Sequence, residues 1–282
     1  MGRTIDGKAV AAAVRGEVRE RAAQLAARGI EPGLATVLVG DDRASQIYVG
    51  SKERACGEVG IRSFGHRLPA SIAQGELLEL IVRLGRDDRV HGILVQLPLP
   101  AHIDEDAVIL AVDPAKDVDC LHPLNAGLLY LGRQTLAPAT PVGIMELLAA
   151  YDVELQGAKA VVVGRSNIVG KPVALLLLQQ HATVTICHSR TRDLAHETLD
   201  ADVLVVATGR AALVTAEMVK SGAAVVDVGM NRTDAGLVGD VDAAAMDVAG
   251  YMTPVPGGVG PMTIACLLRN TVLATRLQRD AV

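Results

Sequence analysis

Residues 159–172 read Lys159-Ala160-Val161-Val162-Val163-Gly164-Arg165-Ser166-Asn167-Ile168-Val169-Gly170-Lys171-Pro172. An apolar, β-branched run stops at a glycine. A loop of small and polar residues then leads into a second apolar run, Val173 to Leu178. The pattern is a strand, a tight turn and a helix start. The first N–H groups of such a helix have no partner inside it, and its dipole favours negative charge, so the turn suits a phosphate. The dinucleotide fingerprint Gly-x-Gly-x-x-Gly is only partly met. Gly164 supplies the turn, Ser166 stands where the second glycine belongs, and Gly170 comes one position late.

Further strands are expected at Thr183–Cys187, Val203–Ala207 and Ala223–Val228, which makes a doubly wound unit of nucleotide-binding type. An NAD site wants an acid at the tip of its second strand for the ribose hydroxyls. Here that strand ends Cys187-His188-Ser189-Arg190-Thr191-Arg192, with no acid at the tip. Arg165, Ser189 and Arg190 can gather round a 2′-phosphate through charge-assisted hydrogen bonds, so NADP is expected over NAD.

The N-terminal half alternates in the same way. Helices are expected over 7–28, 43–58 and 71–84, and strands at Leu34–Val39, Ile61–Leu68 and His91–Leu97. Residues 112–141 hold Pro114, Pro123, Pro138 and Pro141 with Gly127 and Gly132 between them. They read as loops and short pieces at the rim of a site, close to a domain boundary. A helix over 141–151 and a tail helix from Thr263 to Gln278 complete the pattern. The expected fold class is α/β with two domains, an α/β domain over 1–139 and a Rossmann-like doubly wound domain over 140–262. The C-terminal helix, about 263–282, packs back on the first domain.

Composition excludes several classes. Hydrophobic residues make up 50% of the 282, yet there is no Trp, one Phe and four Tyr. A core of Ala, Val, Leu and Ile follows, and base stacking on exposed aromatics is poorly supported. A net charge of −5 argues against a nucleic-acid partner. Cys56, Cys120, Cys187 and Cys266 have neither zinc nor disulfide spacing, so no metal is expected, and a reducing cytoplasm fits. The N-terminus lacks the apolar stretch of a signal peptide, and Val173 to Leu178 is too short to cross a bilayer, so no membrane partner is expected.

Only six of the 27 basic side chains are lysine. Arginine cannot release its proton in a protein, whereas a buried lysine can. Lys52 lies four residues after Tyr48, so on a helix the two share a face. Alone, such a lysine reads as one snorkelling along an amphipathic helix. Near the C-terminus, Thr253-Pro254-Val255-Pro256-Gly257-Gly258-Val259-Gly260-Pro261-Met262-Thr263 sets three glycines between prolines, a shaped loop against a flat ligand.

In these segments, and over nearly its whole length, the chain resembles the bifunctional methylenetetrahydrofolate dehydrogenase/cyclohydrolase family. The blocks that carry the resemblance are Val39-Gly40 with Ala44-Ser45 through Tyr48 and Lys52; Gly92 to Pro100; Pro114 to Asp119 with His122-Pro123; Gly164 to Ser166 with Gly170 to Pro172; Asp227 to Arg232; and Pro256 to Thr263. Three residues depart from it. Cys120 stands where glycine is usual, Ala139 where cysteine is usual, and Gly85 where asparagine is common.

The resemblance implies that the first domain is the folate-binding catalytic domain, that the second binds NADP, and that a cleft lies between them. Methylenetetrahydrofolate would be oxidised to the methenyl form and hydrolysed to 10-formyltetrahydrofolate. It implies Lys52, Tyr48 and Gln96 as catalytic residues that also touch substrate, with Lys52 handling the proton of the hydration step, Gln96 tuning it and Tyr48 packing on the substrate. Asp117 would accept hydrogen bonds from the pterin amino and ring N–H groups, and Gly257, Gly258 and Pro261 would line the folate. Gly164, Arg165, Ser166, Ser189, Arg190 and Met230 would hold NADP. Tetrahydrofolate derivatives, polyglutamylated forms among them, are the implied partners, in a homodimer.

Overall fold

The computed structural model describes residues 2–134, 136–234 and 236–280. In chain order the elements are β1 (Arg3–Thr4), α1 (Gly7–Ala27), β2 (Gly33–Val39), α2 (Arg43–Val59), β3 (Arg62–Leu68), α3 (Gln74–Arg86) and β4 (Gly92–Val95). Then come α4 (Glu105–Ala111), α5 (Pro123–Tyr130), α6 (Ala139–Ala150), β5 (Lys159–Val163), α7 (Gly170–Gln179), β6 (Thr183–Cys187) and α8 (Leu194–Thr198). The last are β7 (Val203–Val206), β8 (Ala224–Asp227), β9 (Asn231–Thr233), β10 (Gly236–Val238), β11 (Tyr251–Met252) and α9 (Val259–Asp280).

By packing, the chain divides into two compact units, Met1–Ala12 with Thr140–Ala265, and Ala13–Ala139 with Cys266–Val282. The unit around residues 13–139 carries a parallel sheet in the order β3-β2-β4. All seven residues of β2 are buried, as befits a strand covered on both faces. Leu77, Ile81 and Leu84 from α3 pack on Ala35, Val37 and Val39. The segment after β4 extends this sheet, because Ile93 N–H donates to the Lys116 carbonyl and Ile93 bridges Asp117 in parallel. The second half of α9 is pinned here by Asn270, whose Nδ2 donates to the carbonyls of Val118 and Ala137, both at 2.9 Å.

The other unit carries a six-stranded sheet in the order β1-β11-β8-β7-β5-β6. Every pairing in it is parallel. Its core is built from the Val-rich strands β5, β7 and β8, with Ala245, Ala249 and Met252. This is the doubly wound arrangement expected from the alternating pattern.

The structure differs from the sequence expectation at particular places. The first twelve residues belong with 140–265 and not with 13–139, because Arg3 pairs with Tyr251 across the sheet. Inside the proline-rich segment lies a full helix, α5, started by Pro123 at its first turn. His122 caps it, its Nδ1 accepting the Leu124 N–H at 3.1 Å. The tail helix begins at Val259, not Thr263, so Gly260 and Pro261 form its first turn instead of a loop. Proline is tolerated there because its missing N–H would have had no helical partner.

Candidate active site

Lys52 stands on α2, a helix capped by Asp42, whose Oδ2 accepts the Ser45 N–H at 2.7 Å. The inward face of α2 carries Val49, Cys56 and Val59, and Lys52 occupies it where an apolar residue is the rule. The lysine is only 8% exposed. Its Nζ donates to Gln96 Oε1 at 3.2 Å. Gln96 Nε2 donates to the Leu97 carbonyl at 2.7 Å, which turns the amide oxygen toward the lysine. Gln96 is held by the sheet, its backbone N–H donating to the Val37 carbonyl just past the end of β4. Tyr48, one helical turn before Lys52, is 40% exposed and leaves much of its ring open to solvent.

Asp117 is turned into the protein. One carboxylate oxygen accepts the Leu121 N–H at 3.2 Å; the other accepts His122 N–H and Asn125 Nδ2, both at 2.8 Å. It is a clamp between the loop and α5, with little capacity left for a substrate. The pterin-acceptor role expected of it does not suit that geometry.

Asp119, two residues on, is the better acceptor. Among the described residues no donor meets its carboxylate. With Asp117 it lines a recess of about 20 Å³ walled by Ile93, Val95 and Leu97, room for one water-sized group, and of the two acids it is the one whose oxygens are not already taken. Burial pushes its carboxyl above the usual carboxylate range, while the nearby Lys52 pulls it down and Asp117 pushes it up. Asp117-Val118-Asp119 gives sequence reading two equivalent acids.

The loop after β5 opens a cavity of about 400 Å³ in the other unit. Gly164 turns there at φ 133°, and a Cβ on it would overlap the Ala207 carbonyl. A Cβ on Gly170 would overlap the Gly164 carbonyl, so both glycines are needed for the close turn. The Ser166 hydroxyl accepts the N–H groups of Val169 and Gly170 at 3.2 and 3.3 Å, so serine ties the turn that leads into α7 where the fingerprint has glycine. Arg165, Ser189 and Arg210 line this cavity and no acid does. Two guanidinium groups without an opposing carboxylate fit a phosphorylated dinucleotide. Arg190 and Met230 are exposed and do not line it. Gly257, Gly258 and Pro261 belong to this unit, whereas Lys52, Gln96 and Asp119 belong to the other. Among the described residues there is no group of His, Cys, Asp or Glu that could hold a metal ion, and no helix long and apolar enough to cross a membrane.

The fold and its two sites define an α/β protein of two units, one built for a dinucleotide and one carrying a buried lysine–amide pair beside an acid. Residues 5–119 match the catalytic domain of tetrahydrofolate dehydrogenase/cyclohydrolase, and residues 138–279 match its NAD(P)-binding domain. The chain belongs to the tetrahydrofolate dehydrogenase/cyclohydrolase family. It is 60% identical over 279 residues to the bifunctional protein FolD of Paraburkholderia phytofirmans, covering 98% of each chain. It is similar to the crystal structure of the bifunctional FolD enzyme of Campylobacter jejuni, with a TM-score of 0.97 and 50% identity over 99% of this chain and 100% of that one. A Trypanosoma brucei FolD structure, complexed with NADP cofactor and an inhibitor, matches with a TM-score of 0.93 and 42% identity over 99% and 98%.

Proposed function

We propose that this protein is a bifunctional one-carbon folate enzyme. It oxidises 5,10-methylenetetrahydrofolate with NADP to the 5,10-methenyl form and hydrolyses that to 10-formyltetrahydrofolate. The observation that carries the hydrolytic half is the buried Lys52, hydrogen-bonded to Gln96 with Asp119 nearby.

Bound NADP supplies the hydride acceptor. Arg165 and Ser189 hold its 2′-phosphate, Arg190 adds charge at the same turn, and Gly164 and Ser166 complete the contacts of the cavity, with Met230 as a further contact outside its lining. The methenyl carbon is electrophilic and cationic. Water adds to it while Lys52 takes one of the water's two protons; the proton left on the new hydroxyl passes to N5 as the N5–carbon bond opens, leaving the formyl group on N10. Gln96 keeps the lysine aimed, and Tyr48 packs on the substrate. Asp119 accepts from the pterin, whose amino group is about the size of the recess beside it. Gly257, Gly258 and Pro261 form a further folate contact.

The enzyme acts on polyglutamylated folates as well, in the cytoplasm and as a homodimer. The four cysteines are free and buried, which suits a reducing compartment. The edge strand β6 shows Ile186 at 43% exposure, a surface that suits a second copy. Lys52→Met tests the central claim. With methylenetetrahydrofolate and NADP, NADPH should still form while the methenyl product accumulates. Hydrolysis at the wild-type rate would overturn the role of Lys52.

A further inference from the structure

Two carboxylates in the nucleotide unit are buried without a place in the reaction above. Asp227, at the end of β8, is 2% exposed, and Asp240, just after the hairpin β9–β10, is 0% exposed. Burying a carboxylate is costly unless hydrogen bonds replace its water. Here the replacement is dense. Asp240 Oδ2 accepts Thr208 N–H at 2.6 Å, Thr208 Oγ1 at 3.0 Å and Gly209 N–H at 2.8 Å. Its Oδ1 accepts Asn231 Nδ2 at 2.8 Å. Asp227 Oδ1 accepts the N–H groups of Gly229 and Asp240 at 2.9 Å, and its Oδ2 accepts Val241 N–H at 3.0 Å. Three chain segments, 208–209, 229–231 and 239–241, are thereby tied to one pair of acids.

Segments 208–209 and 229–231 follow the ends of the parallel strands β7 and β8, the edge at which doubly wound sheets bind ligands, and 239–241 is brought to them from the β9–β10 hairpin. The N–H groups there have run out of strand partners, so side chains must satisfy them. Thr208 and Arg210 line the dinucleotide cavity. The fit leaves no slack, since a Cβ on Gly229 would overlap the Asp240 carboxylate and one on Gly239 would overlap that of Asp227.

We propose that Asp240 is a positioning residue for the dinucleotide, setting the Thr208–Arg210 turn that walls the cofactor cavity. Asparagine is a poor substitute unless the Asn231 amide flips and gives up its contact with the Val238 carbonyl. Its NH2 group would face either the N–H groups of Thr208 and Gly209 or the amide NH2 of Asn231, donor against donor. The proposal rests on the nucleotide reading given above, and the two fail differently in the assay.

Asp240→Asn is measured for NADP-dependent oxidation and, without nucleotide, for methenyl hydrolysis. The NADP KM should rise about tenfold or more, the cost of one misplaced charged hydrogen bond. The folate KM and the nucleotide-free hydrolysis rate should stay within about twofold, since a lost hydrogen bond tells where that bond acts. An unchanged NADP KM overturns the proposal. So does an equal loss of both activities with a lowered melting temperature, which marks a purely structural acid. If Asp240→Asn does not fold, Asn231→Ala decides. It removes the donor to the other oxygen and should raise the NADP KM about threefold, and no rise overturns the proposal. A wild-type enzyme that neither binds nor uses NADP would refute the nucleotide reading itself.

Discussion

The two units bury charge in opposite ways. In the unit of residues 140–265, Asp227 and Asp240 spend both oxygens on donors from their own backbone and from Thr208 and Asn231. In the unit of residues 13–139, Lys52 gives one hydrogen bond to Gln96, and the Asp119 carboxylate meets no donor among the described residues. Burial and perturbed ionisation occur in both units, so neither marks a reacting group. Spare hydrogen-bonding capacity does. The same contrast holds within three residues, where Asp117 is saturated and Asp119 is open.

The hardest test of that contrast is Lys52→Met, which should lower methenyl hydrolysis by on the order of 10²–10⁴-fold, the usual share of a proton-transferring group. Its melting temperature should change little, because a Met side chain of similar length fits the same inward face. A large loss of stability instead would make Lys52 another structural charge.

Next come the two neighbouring acids. Asp117→Asn should cost roughly 3 kcal/mol, since it sets an NH2 group against buried donors. Asp119→Asn should leave thermal unfolding nearly unchanged and raise the folate KM about tenfold. Thermal scans and folate titrations of the pair would show the assignment reversed if Asp117→Asn proved the stable, inactive one.

Acid should separate the units as well. His91 is buried, and its Nδ1 accepts the Gly33 N–H at 3.1 Å. Burial, with Arg279 and Lys116 nearby, pushes its imidazole down to about 4 from 6.5. The unfolded chain therefore binds the extra proton between those values. The stability His91 supplies is complete above pH 6.5 and lost as pH falls toward 4. Asp227 runs the other way. Burial pushes its carboxyl up to about 6 from 3.8, so between these values the folded state holds the extra proton, and its contribution weakens as pH rises. Each is worth on the order of 3 kcal/mol. Amide hydrogen exchange between pH 4 and 6.5 should show protection around β2 and β4 falling with acid, and protection at the end of β8 holding. Parallel loss in both would contradict these assignments.

The smallest effect is expected at Cys120, which sits beside Asp119 at φ 56°, a conformation that favours glycine. Cys120→Gly relieves that strain but frees the unfolded chain and empties a buried side chain, so the net change should stay within about 1 kcal/mol. Denaturant unfolding would measure it, and a loss several times larger would show that the thiol, 3.5 Å from the Asp117 carbonyl, holds the loop.

Much of this was legible in one dimension. The alternation of strand and helix, the phosphate turn at Gly164 and the lysine at 52 follow from period, glycine and the scarcity of Lys. Helix α5 was hidden because proline and glycine read as loop. At Pro123 the proline instead starts a helix that only the His122 cap reveals. Asp240 carries no motif, and its donors lie at Thr208 and Asn231, far along the chain.

What the sequence by itself determined is local. Apolar periodicity, turn residues and family-like blocks depend on neighbours a few positions apart, and they specify the α/β order, the nucleotide turn and the family. Tertiary structure alone decided that residues 1–12 join the later unit through Arg3 and Tyr251, that Asp117 is spent on backbone and Asn125 donors while Asp119 is not, and that two buried acids hold the cofactor wall. Each of those outcomes depends on which distant donors a backbone or carboxylate meets. No pattern along the chain encodes that choice, because a hydrogen bond is settled by proximity in space and not by spacing in sequence.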